Sequence, residues 1–151
     1  MFKQILFPVD LTENSALLLP FVVKLADFCK ATVHVLYVGE RLKHADSLAI
    51  PHPPQQFYDQ DLRSASEKKM KTFYAEQLYG LKNVERHVVL GNPDEEILKF
   101  AAEKQIDLIV MGTHGRKGMD RVLFGSVAEN VTRNSRIPVM TVNPRSFSPT
   151  P

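Results

Sequence analysis

Short apolar runs alternate with amphipathic helical patterns along this chain, and that alternation limits the possible folds more than any other feature of the sequence. Five runs have the length and β-branched content of strands, at residues 2–9, 32–38, 84–90, 108–111 and 139–142. Helical spacing of apolar residues separates them, at residues 12–30, 57–79, from Pro93 onward, and at 126–134. Strand and helix in regular succession predict an α/β domain.

The predicted fold is a single doubly wound domain with a five-stranded, mainly parallel sheet between helical layers, in the Rossmann-like manner. It spans residues 1–143, and a flexible tail rich in Pro and Ser follows at residues 144–151. The strand at residues 84–90 alternates in polarity, as expected at a sheet edge. In such sheets a ligand binds beyond the carboxyl ends of the strands, where successive connections leave toward opposite faces.

The helix predicted at residues 12–30 has two unusual features. Thr12 suits the N-cap, whereas Pro20 lies inside the helix and predicts a kink or a late start. Cys29 is expected to be a small core residue rather than a reactive thiol. The predicted apolar face consists of Leu17, Leu18, Phe21, Val22, Leu25 and Phe28.

Length and composition exclude several classes of protein. The 151 residues and 17.1 kDa fit one domain, and a net charge of +2 is too small to argue for a nucleic acid partner. No apolar run is long enough to span a bilayer, and the N-terminus lacks a secretory signal pattern. A lone cysteine excludes an intramolecular disulfide. We therefore expect a cytoplasmic protein that binds neither membrane nor nucleic acid.

A glycine-rich segment directly follows the strand predicted at residues 108–111. It reads GTHGRKG from Gly112 to Gly118, and Gly125-Ser126 then stands at the start of a predicted helix. Glycines let the backbone approach an anion closely, and the N–H groups at a helix start favour negative charge. The segment therefore predicts a phosphate cradle and nucleotide binding. If the first and fourth strands are neighbours, Asp10 and Gly112 face each other across the binding crevice.

Other catalytic and metal-binding motifs are missing from the sequence. It contains no P-loop, no dinucleotide-binding glycine pattern after the first strand, no nucleophile elbow and no zincin motif. His34 is predicted to be a satisfied structural histidine rather than a base, and His114 to support the loop or weakly contact phosphate. His44 and His52, with Asp46, lack a recognised ligand spacing. No catalytic residue and no metal ligand is predicted.

Several of these segments together resemble the universal stress protein family. The resemblance covers nearly the whole chain and is carried by Gly112-x2-Gly115-x9-Gly125-Ser126, ILFPVD at residues 5–10, His34-Val35, Gly91-x-Pro93 and Pro138-Val139-x-x-Val142. Family members that bind adenine nucleotides have the complete glycine pattern. The resemblance therefore implies an ATP site, with AMP or ADP also possible and Mg²⁺ bound through the phosphates. Leu11-Thr12 and the Pro-rich residues 51–54 depart from the family beside the base pocket.

The resemblance and the chemistry of the residues give the same site. Pro8 and Val35 would flank adenine, and Asp10 would accept a hydrogen bond from the base or ribose. Gly112 would admit the ribose, while the later glycines turn N–H groups toward phosphate and the basic pair neutralises its charge. The predicted binding residues are Pro8, Val9, Asp10, Val35, Met111, Gly112, Thr113, His114, Gly115, Arg116, Lys117, Gly118, Gly125, Ser126, Val127 and Ala128.

Two classes of function remain open. The first is a regulatory module in the stress response that changes its surface for an unidentified protein partner when ATP binds. The alternative is a slow Mg-dependent ATPase or phosphotransferase, for which the sequence offers no clear base. The family is commonly dimeric, and a homodimer is expected through an edge formed by Val139, Met140, Thr141 and Val142. A purely structural dimer would leave the glycine spacing unexplained.

Overall fold

The computed structural model describes residues 1–40, 55–76, 78, 83–113 and 126–144. The Pro-rich residues 51–54, the glycine loop at residues 114–125 and the tail beyond Pro144 lie outside the described residues; Pro144 itself is buried. The elements run in the order β1 (Gln4–Val9), α1 (Glu13–Cys29), β2 (Thr32–Gly39), α2 (Gln55–Phe73), β3 (Val84–Leu90), α3 (Pro93–Glu103), β4 (Leu108–Gly112), α4 (Ser126–Asn134) and β5 (Val139–Val142).

The five strands form one sheet in the order β3-β2-β1-β4-β5, and every neighbouring pair is parallel. β1 lies at the centre, where Phe7 pairs with Val35 of β2 and Leu6 pairs with Ile109 of β4. β3 and β5 are the two edge strands. The predicted α/β class is confirmed, as are the neighbouring first and fourth strands and the edge position of β3.

Two apolar layers cover the sheet, one on each face. The first joins β-strand residues such as Phe7 and Val35 to α1 and to the end of α2, through Leu18 and Tyr74. The second joins the opposite face to α3 and α4. The chain thus winds in both directions from β1, which confirms the doubly wound prediction. None of the helices in the described ranges has the length and apolar character needed to cross a membrane.

The first helix differs from its prediction in its cap and its apolar face. Thr12 occupies the N-cap position, but its hydroxyl makes no cap bond and donates instead to Asp10. Pro20 does not delay the helix, which begins at Glu13 and continues past the exposed proline. Phe28 is 75% exposed, so its predicted place on the apolar face is wrong. The buried positions follow a spacing of three and four that reaches Cys29 and leaves Phe28 one step outside.

The second helix is shorter than the predicted span of residues 57–79. It ends at Phe73, and Tyr74 begins a turn in which the Leu78 N–H donates to the Tyr74 carbonyl at 2.9 Å. Tyr74 and Leu78 are nevertheless buried. The apolar spacing therefore predicted the burial of Tyr74 and Leu78 correctly, but it extended the helix beyond the point where the backbone turns. It also wrongly included Ala65, which is exposed beside the buried Ser66.

Particular residues define both ends of the strands: a carboxylate at their amino ends and a glycine turn at their carboxyl ends. At the amino edge, the Asp107 carboxylate accepts hydrogen bonds from the backbone N–H groups of Lys3 and Gln4, at 2.7 and 3.1 Å. At the carboxyl edge, Gly91 has a φ of +156°, and a Cβ there would lie 2.7 Å from the Glu96 side chain. That turn therefore requires glycine. Pro93 follows as the first residue of α3, as predicted.

Candidate functional site

The end of β1 is held by a compact hydrogen-bond network around Asp10. Its Oδ1 accepts hydrogen bonds from the Thr12 N–H at 3.0 Å, the Thr12 hydroxyl at 2.6 Å and the Ser15 hydroxyl at 2.6 Å. The Ser15 hydroxyl also accepts the Asp10 N–H at 3.1 Å. Leu11, which lies between Asp10 and Thr12, has a φ of +59°. The network fixes a carboxylate at the carboxyl end of the central strand.

Tyr74 extends this network into the core on the α2 side. Its side chain is fully buried, and its hydroxyl lies near the Ser15 side chain. Burial raises the pKa of Tyr74 far above its usual value; the Ser15 interaction opposes this, and the Asp10 charge adds to it. Tyr74 is therefore a neutral phenol that packs beyond the end of α2 in the same core layer as β1 and α1.

The predicted base-flanking residues lie on different faces of the sheet. Val35 is fully buried in the layer that contains α1, together with Val9 and Phe7. Pro8 is half-buried, and strand alternation directs its ring to the opposite face from Phe7 and Val9. The structure therefore brings Val9 and Val35 together but separates both of them from Pro8.

The end of β4 lies beside the end of β1, as the predicted crevice requires. Met111 is buried in the layer of α3 and α4, and Gly112 ends the strand half-buried. Thr113 is buried, and its N–H donates to the Val142 carbonyl of β5 at 3.0 Å. The backbone that enters the glycine loop is thus held against β5.

The start of α4 supplies the third part of the predicted site. Ser126 is its first residue and is exposed, Val127 is half-buried and Ala128 is buried. Because β4 and β5 are parallel, the helix that connects them runs antiparallel to both, so its N-terminus lies at the carboxyl edge of the sheet. The Asn130 amide donates to Asp94 at 2.9 Å and ties α4 to the start of α3.

The remaining predicted contacts belong to the glycine loop, which lies outside the described residues. They are His114, Gly115, Arg116, Lys117, Gly118 and Gly125. Sequence reasoning missed Ser15 and Tyr74, which hold the Asp10 end of the crevice. Ser15 had one available signal, since a serine five residues after a strand-ending aspartate can bond back to it from a first helical turn.

Comparisons find similar proteins over nearly the whole chain. Residues 1–143 match the model of the universal stress protein family. Universal stress protein MJ0577 of Methanocaldococcus jannaschii is 31% identical over 155 residues, covering 94% of this chain and 95% of that protein. Universal stress protein YxiE of Bacillus subtilis is 32% identical over 147 residues, covering 94% and 99%.

Solved structures share the same arrangement of strands and helices. The structure of MJ0577 matches with a TM-score of 0.79 at 30% identity, covering 95% of this chain and 96% of that one. The universal stress protein from Archaeoglobus fulgidus in complex with dAMP matches with a TM-score of 0.58 at 20% identity, covering 94% and 98%. The match to this second structure shows a shared fold only.

Proposed function

The chain belongs to the universal stress protein family, and we propose that it binds ATP in the crevice between the ends of β1 and β4 as a nucleotide-responsive regulatory module in the stress response. One observation carries the proposal: Asp10 directly follows β1 and Gly112 ends the neighbouring strand β4, at the point where the chain changes faces. That is where doubly wound sheets accept ligands. The glycine pattern that begins at Gly112 adds the phosphate cradle.

In this proposal each part of the crevice meets one part of the nucleotide. Asp10 accepts a hydrogen bond from the base or ribose, and Gly112 leaves room for the sugar. The N–H groups at the start of α4 and in the glycine loop bind the phosphates, and Arg116 and Lys117 neutralise their charge. Mg²⁺ is held through the phosphate oxygens. The Archaeoglobus relative supports this role for the fold, because its structure is a complex with dAMP.

Binding and signalling fit the described part of the site better than turnover. Asp10 Oδ1 accepts three hydrogen bonds from Thr12 and Ser15, which hold the side chain in place as a fixed acceptor. Tyr74, the other titratable group of the network, is a buried neutral phenol. We therefore favour regulation over turnover as the function.

The proposal includes a homodimer formed along β5. All four residues of this edge strand are only half-buried. The carbonyls of Pro138 and Val142 accept hydrogen bonds from Ile109 and Thr113 on the β4 side. Because backbone groups alternate along a strand, those of Val139 and Thr141 are directed away from β4. A second copy of the chain is the partner that could pair with them.

The direct test is to identify the nucleotide that copurifies with the protein. Protein purified without added nucleotide is denatured, and the supernatant is separated by ion-exchange chromatography. We expect an adenine nucleotide in a molar ratio approaching one per chain. A preparation that carries no nucleotide, and that also gives no heat when titrated with ATP and Mg²⁺, would refute the proposal.

A further inference from the structure

Three potential metal ligands meet on β2 and β3, away from the nucleotide crevice. His34 lies in β2, and Glu85 and His87 lie on the same face of the neighbouring edge strand. His34 Nδ1 is 3.2 Å from His87 Nε2 and 3.5 Å from Glu85 Oε2, and the last two atoms are 3.4 Å apart. The three atoms form a nearly equilateral triangle.

The size of that triangle matches a zinc site. Zinc binds imidazole nitrogen and carboxylate oxygen at about 2.0–2.2 Å with tetrahedral geometry, so two of its ligand atoms lie about 3.3–3.5 Å apart. All three edges of the triangle lie within about 0.2 Å of that range. An ion above its centre could reach all three atoms with little movement of the side chains.

A fourth residue orients one of these ligands. His34 Nε2 is 2.7 Å from Gln4 Oε1, and an amide oxygen can only accept, so His34 carries its proton on Nε2. Its Nδ1, one corner of the triangle, therefore carries the lone pair that a metal would bind. Histidines that bind metals commonly donate their other ring N–H to a carbonyl or carboxylate in this way. This bond is an observation independent of the triangle.

We propose that His34, Glu85 and His87 form a Zn²⁺ site in which Gln4 positions His34. Two imidazoles and one carboxylate leave a fourth coordination position for water, as in three-ligand zinc sites. The metal would join β2 to the edge strand β3, which is held on one side only. Without metal, His87 Nε2–H can donate to His34 Nδ1, and this bond holds the two rings in the same positions.

The surroundings allow a cation to enter and bind. The side chains of His34 and His87 are 5% and 20% exposed, whereas that of Glu85 is 54% exposed and provides the route from solvent. The Phe100 ring lies 4.8 Å from the His87 ring and shields the inner side. Burial, and to a smaller extent Lys104, disfavours a positive charge here, and the carboxylate of Glu85 opposes that effect.

The test measures Zn²⁺ binding to metal-free, nucleotide-free protein at pH 7.5. Calorimetry should show one site per chain. Glu85→Gln and His87→Gln should each weaken binding by at least about tenfold, since even orienting partners contribute that much. Both side chains are partly exposed, so both variants are expected to fold, and circular dichroism checks this. Co²⁺ in place of Zn²⁺ should give the intense visible absorption of a tetrahedral site.

A matched control separates this site from two of the three remaining histidines. His44→Gln with His52→Gln removes two histidines from another part of the sequence and should leave the affinity unchanged. Equal binding by the wild type and both site variants would overturn the proposal. So would loss of binding in the double control, or an octahedral Co²⁺ spectrum. The Zn²⁺ titrations do not depend on whether the protein binds ATP, because none of the variants alters a residue of the crevice.

Discussion

The Ser15 hydroxyl donates a 2.6 Å hydrogen bond to the Asp10 carboxylate and accepts a 3.1 Å hydrogen bond from the Asp10 backbone N–H. One buried side chain of α1 thereby satisfies both the charge and the backbone at the end of β1. The crevice proposed for ATP thus has one wall that is fixed by hydrogen bonds within the chain.

Ser15→Ala should lower the free energy of unfolding by about 1–3 kcal/mol, because it removes a charge-assisted bond and the acceptor of the half-buried Asp10 N–H. Urea denaturation measures the change. Ser64→Ala, at an exposed position of α2, is the matched control and should change stability by less than about 0.5 kcal/mol. Equal effects of the two substitutions would contradict the role of Ser15.

ATP with Mg²⁺ should raise the melting temperature, because a ligand that binds only the native state stabilises it. At about 100 times the dissociation constant the gain is about 2.7 kcal/mol, which corresponds to about 5–11 °C for a domain of this size. Differential scanning fluorimetry over an ATP titration measures the shift. A flat titration would argue against an adenine nucleotide as the native ligand.

Gly125→Val should weaken ATP binding by about tenfold to a hundredfold, since a branched side chain blocks the approach of phosphate to the backbone. Isothermal titration calorimetry gives the affinity. Thr132→Val introduces the same side chain on an exposed part of α4 and should bind ATP normally. An unchanged affinity in folded Gly125→Val would show that the phosphates bind elsewhere.

Thr141→Pro should weaken the proposed dimer by about tenfold or more while sparing the bonds to β4, because the N–H that it deletes is directed away from that strand. Thr141→Val keeps the N–H and should dimerise like the wild type. Light scattering at micromolar concentration gives the masses. A wild-type mass near 17.1 kDa would refute the dimer. A full dimer in the folded Pro variant would show that the subunits meet at another surface.

Stability should decrease as the pH falls below 6.5, the ordinary histidine value. Burial lowers the pKa of both His34 and His87, and His34 lowers the pKa of His87 further; Glu85 opposes the shift at both histidines, and Lys104 adds a smaller lowering. Between the lowered pKa and 6.5 the unfolded chain binds more protons than the folded one, so the free energy of unfolding rises with pH through that window. Denaturation in EDTA from pH 7.5 to 5 should therefore show a smaller slope in His87→Gln. Identical slopes would contradict the prediction.

The fold was predictable because each element carries its own local pattern. The bounds of α4 and β5 were predicted correctly from apolar runs between helix and turn signals. Phe28 was misplaced because hydrophobicity alone does not say which helical positions meet the sheet. The early end of α2 was missed because Tyr74 and Leu78 are buried from a turn as well as they would be from a helix.

The candidate site was only partly predictable. Asp10 and Gly112 could be brought together because strand order follows from the connections. The proximity of Tyr74 to Ser15 could not be predicted, since it depends on how α2 packs against the sheet. The His34–His87 contact spans 53 residues and depends on the register of two strands, which no short motif records.

The hydrogen bonds that join the Asp107 carboxylate to the N–H groups of Lys3 and Gln4 can form only late during synthesis on the ribosome. These contacts span 104 and 103 residues, yet they fasten the first strand of the chain to its second neighbour. While the chain grows, β1 can pair with β2 long before β4 exists, so the central strand has one open edge during most of translation. Contacts that distant slow folding. That edge can be covered only after β4, which ends at Gly112, has emerged, and until then it is a surface on which another chain could pair.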